Sequence, residues 1–248
     1  MVKYGLIGTR LTHSFSSGYF NSKFLKEGRS GSFEYLNFEL ASINELPSLI
    51  HANPQLAGLN VTIPFKEQVI PFLDTVDPIA AEAGAVNTIK INRLANGNIS
   101  LAGFNTDISG FEKAFLPILL PDDCGVLILG SGGASKAVAY ALRKNQIPFQ
   151  IISRNPEKGI GWEFINETLL NTFPVIVNTT PLGTFPDTDA FPPFPYSLLK
   201  SNMFLFDLIY NPPLTAFLKA GIKAGCRTEN GHSMLIQQAE DAWSIWQS

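Results

Sequence analysis

Short apolar runs alternate with helix-like segments along the first part of the chain. The apolar runs are VKYGLIG, FEYLNFEL and LAGLNVTI, and the segments near residues 17–27 and 42–50 between them have helical patterns. This alternation is typical of βαβ units that build a parallel sheet. Two further runs, VNTIKI and ISLAGF, are joined by the turn-forming LANGN and predict a hairpin at the edge of that sheet.

A second alternation begins at Gly125. It consists of the strand VLIL, a glycine turn, a helix over residues 134–144, the strand FQIIS, a short irregular stretch, and the strands VIVN and MFLFDLIY. This order is typical of a doubly wound nucleotide-binding domain. Between the two alternations, Thr106 or Asp107 can cap a helix over TDISGFEKAF, so the domain junction is predicted near residues 104–107.

The pattern therefore predicts an α/β protein with two domains. Residues 1–104 would form an α/β substrate domain with a mixed sheet, and residues 105–231 a Rossmann-like, doubly wound domain. A last helix is predicted near residues 233–246, and the pattern alone does not decide where it packs. The Pro-rich segment 184–195 is predicted to be a loop.

Charge and composition favour a small-molecule partner. The formal net charge is -3 and no run of Lys or Arg stands out, which argues against binding to nucleic acid or to an anionic membrane. The N-terminal apolar run is too short for the core of a signal peptide, and Pro117 interrupts the apolar segment AFLPILL. Neither secretion nor a membrane span is therefore indicated.

The cysteines and histidines show no metal-binding pattern. Cys124 and Cys226 fit neither a CxxC motif nor a Cys/His zinc spacing, so we interpret them as reduced core residues of a cytoplasmic protein. The histidines, His13, His51 and His232, are equally scattered, and no metal site is predicted.

The glycine turn after the strand VLIL predicts a site for a dinucleotide. Gly130 permits the tight turn, and Gly132 lets the backbone approach a pyrophosphate placed at the N-terminus of the following helix. The strict pattern has a third glycine for close packing of the helix, and Ser135, a small residue, stands there instead. A glycine-rich turn without a ligand remains the alternative.

The residues after the second strand of this domain favour NADP over NAD. An NAD site would place an acidic residue at the strand tip to accept from the ribose 2′-hydroxyl, and none is present. Arg154 can instead bind a 2′-phosphate through two hydrogen bonds, and Lys158 adds charge. The alternative is that both are solvated turn residues.

Polar residues cluster at the ends of apolar runs in the first domain, where open α/β sheets place ligands. The segments are His13 to Ser16, Asn60 to Thr62 with Lys66, Ala85 to Thr88, and Asn105 to Asp107. Together they offer hydroxyls, carboxamides, one ammonium and one carboxylate, which suit a polyhydroxylated acid and a proton transfer. Taken singly, each is better explained as a turn, a cap, a strand-end or a surface residue.

The motifs, taken together and in order, resemble those of the shikimate dehydrogenases. The matching segments cover nearly the whole chain and are GLIGTRLTHSFS, GLNVTIPFK, GAVNT, GFNTD followed by Gly110, GSGGAS, NTTPLG, DLIYNPPLT and GHSMLIQQA. The resemblance implies an NADP-dependent oxidoreductase acting on a CH–OH group. Its reaction would be the reversible reduction of 3-dehydroshikimate to shikimate, on the route to chorismate and the aromatic amino acids. We expect a cytoplasmic monomer or homodimer.

The resemblance also implies roles for individual residues. Lys66 and Asp107 would form the catalytic pair, with Lys66 as proton donor in reduction, although which of the two relays the proton is left open. The implied substrate-binding residues are Ser14, Ser16, Asn60, Thr62, Asn87, Tyr210 and Gln238. The implied cofactor-binding residues are Gly130, Ser131, Gly132, Gly133, Ala134, Ser153, Arg154, Lys158, Thr179 and Gly231. The C-terminal helix, residues 232–248, would pack back on the first domain.

The chain departs from the family's pattern in several places. The family usually has a proline after the second serine and a His-Asn pair shortly after it, whereas here residues 17–21 contain no proline and no histidine. Ser131 replaces a common alanine, and Ser153-Arg154-Asn155 replaces the usual Asn-Arg-Thr. Residues 156–174 are short for a full helix and strand, which suggests a trimmed cofactor domain.

Two alternative functions remain at this point. A quinate/shikimate dehydrogenase of the same fold often prefers NAD, and Arg154 argues against it. A non-catalytic nucleotide-sensing protein could use the same scaffold, but the presence of both Lys66 and Asp107 argues against that function.

Overall fold

The structure, a computed structural model, describes residues 1–11 and 14–248. The predicted segment around His13 therefore lies partly outside the described residues. The chain divides into two compact units, which are Met1–Thr106 with Ala239–Ser248 (unit 1) and Asp107–Gln238 (unit 2). No helix within the described ranges is long and apolar enough to cross a membrane.

The strands and helices follow the predicted alternation closely. The strands are β1 (Val2–Gly8), β2 (Phe33–Glu39), β3 (Leu56–Val61), β4 (Thr75–Val76), β5 (Thr88–Arg93), β6 (Ile99–Phe104), β7 (Val126–Leu129), β8 (Phe149–Ile152), β9 (Val175–Asn178), β10 (Phe204–Asp207) and β11 (Arg227–Asn230). The α-helices are α1 (Phe15–Lys26), α2 (Leu46–Ala52), α3 (Phe65–Gln68), α4 (Pro78–Ala83), α5 (Thr106–Phe115), α6 (Gly133–Lys144), α7 (Glu167–Thr172), α8 (Ala216–Lys223) and α9 (His232–Gln247).

The sheet of unit 1 is mixed, with the strand order β2-β1-β3-β5-β6-β4. β1 lies parallel to β2 and β3, while β5 is antiparallel to β3 and to β6. The predicted hairpin of β5 and β6 is confirmed, but its predicted place at the edge is wrong because β4 pairs outside β6. A strand of two residues, Thr75 and Val76, is too short to produce a period-2 pattern in the sequence.

The side chains of β1 alternate between two apolar clusters of unit 1. Ile7 belongs to a cluster of mainly aliphatic residues. Tyr4 and Leu6 belong to the other, which we call the aromatic cluster; its large rings are Tyr4, Phe20, Phe24, Tyr35, Trp243 and Trp246. Offset and edge-on ring pairs of this kind add to the stabilisation from apolar burial.

The C-terminal part of α9 completes the aromatic cluster. Trp246 is 6% exposed, stacks on Tyr4 at a centroid distance of 4.8 Å, and donates its indole N–H to the carbonyl oxygen of Ile89 at 3.0 Å. A Cβ atom at Gly58 would overlap this indole, so β3 needs a glycine there for the ring to lie against the strand.

The sheet of unit 2 has the order β11-β10-β9-β7-β8, and its described pairings are all parallel. Residues 156–174, predicted to be short for a full helix and strand, contain the one-turn segment Trp162–Phe164 and the helix α7. Asn166 caps the N-terminus of α7. The doubly wound order predicted from the sequence is confirmed. However, α8 and β11 were not predicted. Thr106 or Asp107 was predicted to cap α5, but the helix begins at Thr106, so both residues lie in its first turn.

The interpretation of both cysteines as core residues is half correct. Both are free thiols, and Cys226 is buried in unit 2. Cys124 is exposed, so the prediction is wrong for this residue. It lies in the loop before β7, whereas the buried run of that strand starts only at Val126.

Candidate active site

The first candidate residues of unit 1 lie at the start of α1. Ser14 is the N-cap residue, and its Oγ accepts a hydrogen bond from the amide of Ser17 at 3.3 Å. The family usually has a proline at this position, and a proline has no amide N–H to donate. Because this chain has Ser17 instead, Ser14 gains an amide partner. Ser16 lies within the first turn and is buried.

Asn60, at the end of β3, is held by three hydrogen bonds. Its Nδ2 donates to the carbonyl oxygen of Asn87 at 3.3 Å and to Oγ1 of Thr88 at 3.2 Å. Its Oδ1 accepts from the hydroxyl of Tyr35 at 2.8 Å. Because both N–H groups are occupied, Oδ1 keeps one lone pair with which Asn60 can accept from a further hydroxyl.

Asn87, just before β5, is tied to the start of α5 within unit 1. Its Oδ1 accepts from the amide of Thr106 at 2.7 Å, and its Nδ2 donates to Oγ1 of Thr106 at 3.1 Å. Asn105 adds a bond from Nδ2 to the carbonyl oxygen of Ala85 at 2.9 Å. The structure thus brings Asn60 and Asn87 together in one buried polar network, defined here as Tyr35, Asn60, Asn87, Thr88 and Thr106.

Tyr35 is the member of this network that sequence reasoning missed. Its ring lies in the aromatic cluster, and burial raises the pKa of its phenol far above the usual range, so the hydroxyl stays protonated and can donate. The signal was present in the sequence: a tyrosine on the inward-facing positions of a strand normally requires a hydrogen-bond partner for its hydroxyl.

Thr62 and Lys66 follow β3 in the chain. The amide of Thr62 donates to the carbonyl oxygen of Ile7 at 2.9 Å, which continues the pairing of β3 with β1. Phe65, almost fully buried, anchors the short helix α3, and Lys66 beside it is half-buried. The carbonyl oxygen of Lys66 accepts from the amide of Val86 at 2.8 Å, so the backbone of Lys66 is bonded to the residue that precedes Asn87.

In unit 2, the predicted glycine turn connects β7 to α6. Gly130 has a φ of +110°, and a Cβ there would lie 2.8 Å from Oγ1 of Thr179, so the predicted need for glycine is confirmed. A Cβ at Gly132 would meet no heavy atom within 4 Å, so this face of the turn is open. α6 begins at Gly133, directly after this turn, and has no side-chain cap.

These features fit a pyrophosphate at the N-terminus of α6. The helix has 12 residues, and its first-turn amides have no side-chain acceptor. Ser135, which stands at the third-glycine position, is buried, and its Oγ has no hydrogen-bond partner among the described residues. Ala134 lies between it and Gly133 in the same first turn.

The residues predicted for the adenosine side lie next to this turn. Oγ of Ser131 and Oγ of Ser153 are 2.8 Å apart, and the amide of Asn155 donates to Oγ of Ser153 at 3.0 Å. The two departures from the family's pattern in unit 2 therefore contact each other. Arg154 and Lys158 are both exposed, and their side chains have no hydrogen bond or ion pair with a residue in the described ranges.

Asp107 and Gln238 lie on two helices that cross closely in unit 2. A Cβ at Gly110 would come within 2.9 Å of the carbonyl oxygen of Met234 and 3.0 Å of Cβ of Gln238, so α5 and α9 approach each other at this glycine. Asp107 stands three residues before Gly110 and hence on the same face of α5. Both Asp107 and Gln238 are buried.

Tyr210 and Gly231 flank the carboxyl end of β10 and β11. The amide of Gly231 donates to the carbonyl oxygen of Ile209 at 3.2 Å, which places Gly231 beside the segment that carries Tyr210. This segment is fixed by Asp207, which accepts from the amide of Ile209 at 3.1 Å and from Thr215 Oγ1 at 2.6 Å. Burial raises the pKa of Asp207 to about 6. Sequence reasoning missed Asp207 as a support for Tyr210.

Lys66 belongs to unit 1 and Asp107 to unit 2, so their pairing stays a prediction. Within the described parts of the chain, no group of His, Cys, Asp and Glu could hold a metal ion. The candidate residues therefore form separate groups within their own units. Unit 1 holds a polar, largely buried network, and unit 2 holds the glycine turn and the crossing of α5 and α9 near Asp107 and Gln238.

The chain is similar to known proteins over almost its full length. Residues 6–89 match the family model described as the shikimate dehydrogenase substrate binding domain. A shikimate dehydrogenase (NADP(+)) of Methanococcus maripaludis is 37% identical, with 98% of this chain and 90% of that protein covered. A crystal structure of a shikimate dehydrogenase in complex with NADP+ is 33% identical with a TM-score of 0.85, covering 99% of this chain and 90% of that one.

A quinate dehydrogenase is also similar in structure. The enzyme of Corynebacterium glutamicum, solved in complex with NAD, is 31% identical and has a TM-score of 0.84. The match covers 99% of this chain and 93% of that chain.

Proposed function

The chain belongs to the shikimate dehydrogenase family, and we propose that it catalyses the reversible, NADP-dependent reduction of 3-dehydroshikimate to shikimate. The observation that carries this proposal is the 37% identity to an NADP-dependent shikimate dehydrogenase over 98% of the chain. The enzyme would thus be an oxidoreductase of the shikimate pathway, which leads to chorismate and the aromatic amino acids.

The proposed chemistry assigns the proton to Lys66. NADPH, when bound, supplies the hydride that adds to the carbonyl carbon of the substrate. The carbonyl oxygen then gains negative charge, which the ammonium of Lys66 stabilises and neutralises by donating a proton. In the oxidation of shikimate, Lys66 accepts that proton. Asp107 would keep Lys66 charged and oriented toward the reacting oxygen.

The proposed substrate contacts agree with the free hydrogen-bonding capacity of unit 1. Because Oγ of Ser14 already accepts from the amide of Ser17, its proton is available for the substrate carboxylate, and Ser16 would add a second hydroxyl. Asn60 would accept from a substrate hydroxyl through the remaining lone pair of Oδ1. The other proposed contacts to the hydroxyl and carbonyl side are Thr62, Asn87, Tyr210 and Gln238.

The proposed cofactor contacts lie at the glycine turn and the loop after β8. The amides of Gly132, Gly133 and Ala134 would bind the pyrophosphate, with Gly130, Ser131 and Thr179 shaping the turn. Arg154, supported by Ser153 and Lys158, would bind the 2′-phosphate. Gly231 would lie near the nicotinamide.

Replacing Arg154 with alanine is expected to raise the KM for NADP+ about 10- to 100-fold, because hydrogen bonds between charged groups contribute about 1.5–3 kcal/mol each. The KM for NAD+, which has no 2′-phosphate, should stay unchanged. Initial rates of shikimate oxidation with both cofactors measure this. Lys223→Ala removes an exposed positive charge from α8 of the same unit and serves as the control. An equal rise for both cofactors would contradict the assignment of Arg154.

The proposed reaction is tested directly by incubating the protein with NADP+ and either shikimate, quinate or no acid. Reduced cofactor should appear rapidly with shikimate only. The structural similarity to an NAD-bound quinate dehydrogenase makes quinate with NAD+ the necessary comparison. A higher kcat/KM for that pair would establish the alternative, and activity with neither acid would leave only a nucleotide-binding role.

The proposal includes a cytoplasmic location and a monomeric or homodimeric enzyme. Analytical ultracentrifugation at micromolar concentration would distinguish the two states, and a larger assembly would contradict both.

A further inference from the structure

Tyr35 is hydrogen-bonded to Asn60, a proposed substrate-binding residue, without being one itself. We infer that Tyr35 is a positioning residue whose hydroxyl fixes the side chain of Asn60 for binding of shikimate. The inference rests on the proposed function, since Asn60 has its role through it. It adds a determinant of substrate affinity that lies behind the residues in contact with the substrate.

The hydrogen bond of the Tyr35 hydroxyl carries this inference. The hydroxyl donates to Oδ1 of Asn60 at 2.8 Å. Tyr35 is 1% exposed and Asn60 is 4% exposed, so water cannot replace this bond without entering the core. The proposed hydroxyl-binding carboxamide is therefore held by one buried phenolic hydroxyl.

Tyr35 is itself held at both its backbone and its ring. Asn21 donates from Nδ2 to the carbonyl oxygen of Tyr35 at 2.9 Å and accepts from the amide of Tyr35 at 3.0 Å. Phe20 stacks on the Tyr35 ring at a centroid distance of 4.7 Å and an interplanar angle of 12°. Phe20 and Asn21 belong to α1, so the helix that carries Ser16 also immobilises Tyr35.

The donor character of Tyr35 decides how Asn60 is oriented. Because the hydroxyl donates, it requires Oδ1 rather than Nδ2 of Asn60 to face it, and Nδ2 then faces Asn87 and Thr88. Without the hydroxyl, Oδ1 loses its donor, and the carboxamide is no longer restricted to the orientation that presents its free lone pair.

The test is Tyr35→Phe, with Tyr4→Phe as a matched control. Tyr4 is also a nearly fully buried member of the aromatic cluster, but its hydroxyl bonds Gln247 and not the polar network. Tyr35→Phe is expected to raise the KM for shikimate about tenfold, with kcat reduced less than about threefold and the KM for NADP+ unchanged. Tyr4→Phe should leave all three constants near those of the unmodified enzyme.

Two results would overturn the inference. One is an unchanged KM for shikimate in Tyr35→Phe while the unmodified enzyme oxidises shikimate; this leaves the proposed function intact. The other is a fall in kcat alone with a lower thermal midpoint, which would indicate loss of folded enzyme. An unmodified protein that does not oxidise shikimate would overturn the proposed function and the inference with it.

A double-mutant cycle gives an independent readout. In an Asn60→Ala background, Tyr35→Phe should change the KM for shikimate less than about twofold, because its acceptor on Asn60 is gone. Full additivity of the two effects would show that Tyr35 does not act through Asn60 and would also overturn the inference.

Discussion

Replacing Lys66 with alanine is expected to lower kcat for shikimate oxidation by about a thousandfold or more, with a much smaller change in the KM for shikimate. The reason is that the proposed role of Lys66 is exercised in the transition state, where charge develops on the reacting oxygen and a proton moves; general acid–base catalysis and charge stabilisation each contribute factors of about 10²–10⁴. Steady-state kinetics with saturating NADP+ measure the loss.

The matched control is Lys26→Ala, which removes the same charge from an exposed position on α1 of the same unit. It should leave kcat unchanged. Lys66→Arg separates the two parts of the role, because arginine keeps the positive charge but does not readily give up a proton. Near-normal turnover in Lys66→Ala, with unchanged affinity for shikimate, would contradict the proposed mechanism.

Replacing Asp107 with asparagine should reduce kcat by about a hundredfold, since the carboxylate that would keep Lys66 charged and oriented becomes neutral. The shape of the side chain is retained, so the buried first turn of α5 should remain folded. The measurement is kcat at several pH values, together with the thermal midpoint. Asp122→Asn, at an exposed position before β7, is the control for loss of a negative charge.

If Asp107→Asn lowered the thermal midpoint strongly while the remaining folded protein kept full turnover, Asp107 would be a structural residue of α5. If Lys66→Ala and Asp107→Asn were each inactive and the double variant no worse, the two residues would act as one catalytic unit. Fully additive losses would argue that they act independently.

Much of the fold could be predicted because the buried strands carry strong patterns. β7 is a continuous apolar run with turn signals on both sides, and β3 is apolar except for Asn60 near its end; such runs are typical of strands covered on both faces. β11 could not be predicted because its sequence, RTEN, contains no apolar residue. It lies at the edge of the sheet, where a strand buries few side chains. Arg227 instead lies over the ring of Phe204 and pairs with Asp123, so a charged residue covers the edge of the core.

Only those parts of the candidate site that have a local sequence motif could be predicted. The glycine turn has a local cause, because positive φ at Gly130 restricts the residue type there. The support behind Asn60 and Asn87 comes from Tyr35, Thr88 and Thr106, which lie on elements far apart in the chain. Their hydrogen bonds depend on the register between strands, and no spacing in the sequence reveals that register.

The position of Trp246 in the aromatic cluster has a consequence for the order in which the protein can fold during synthesis. Residues 239–248 emerge from the ribosome only after the whole of residues 107–238, yet they belong to unit 1. Domains made of contiguous sequence can fold as they emerge, N-terminal ones first. Here the first part of the chain to be made is completed by the last, because the face of β3 at Gly58 stays uncovered until the indole of Trp246 arrives.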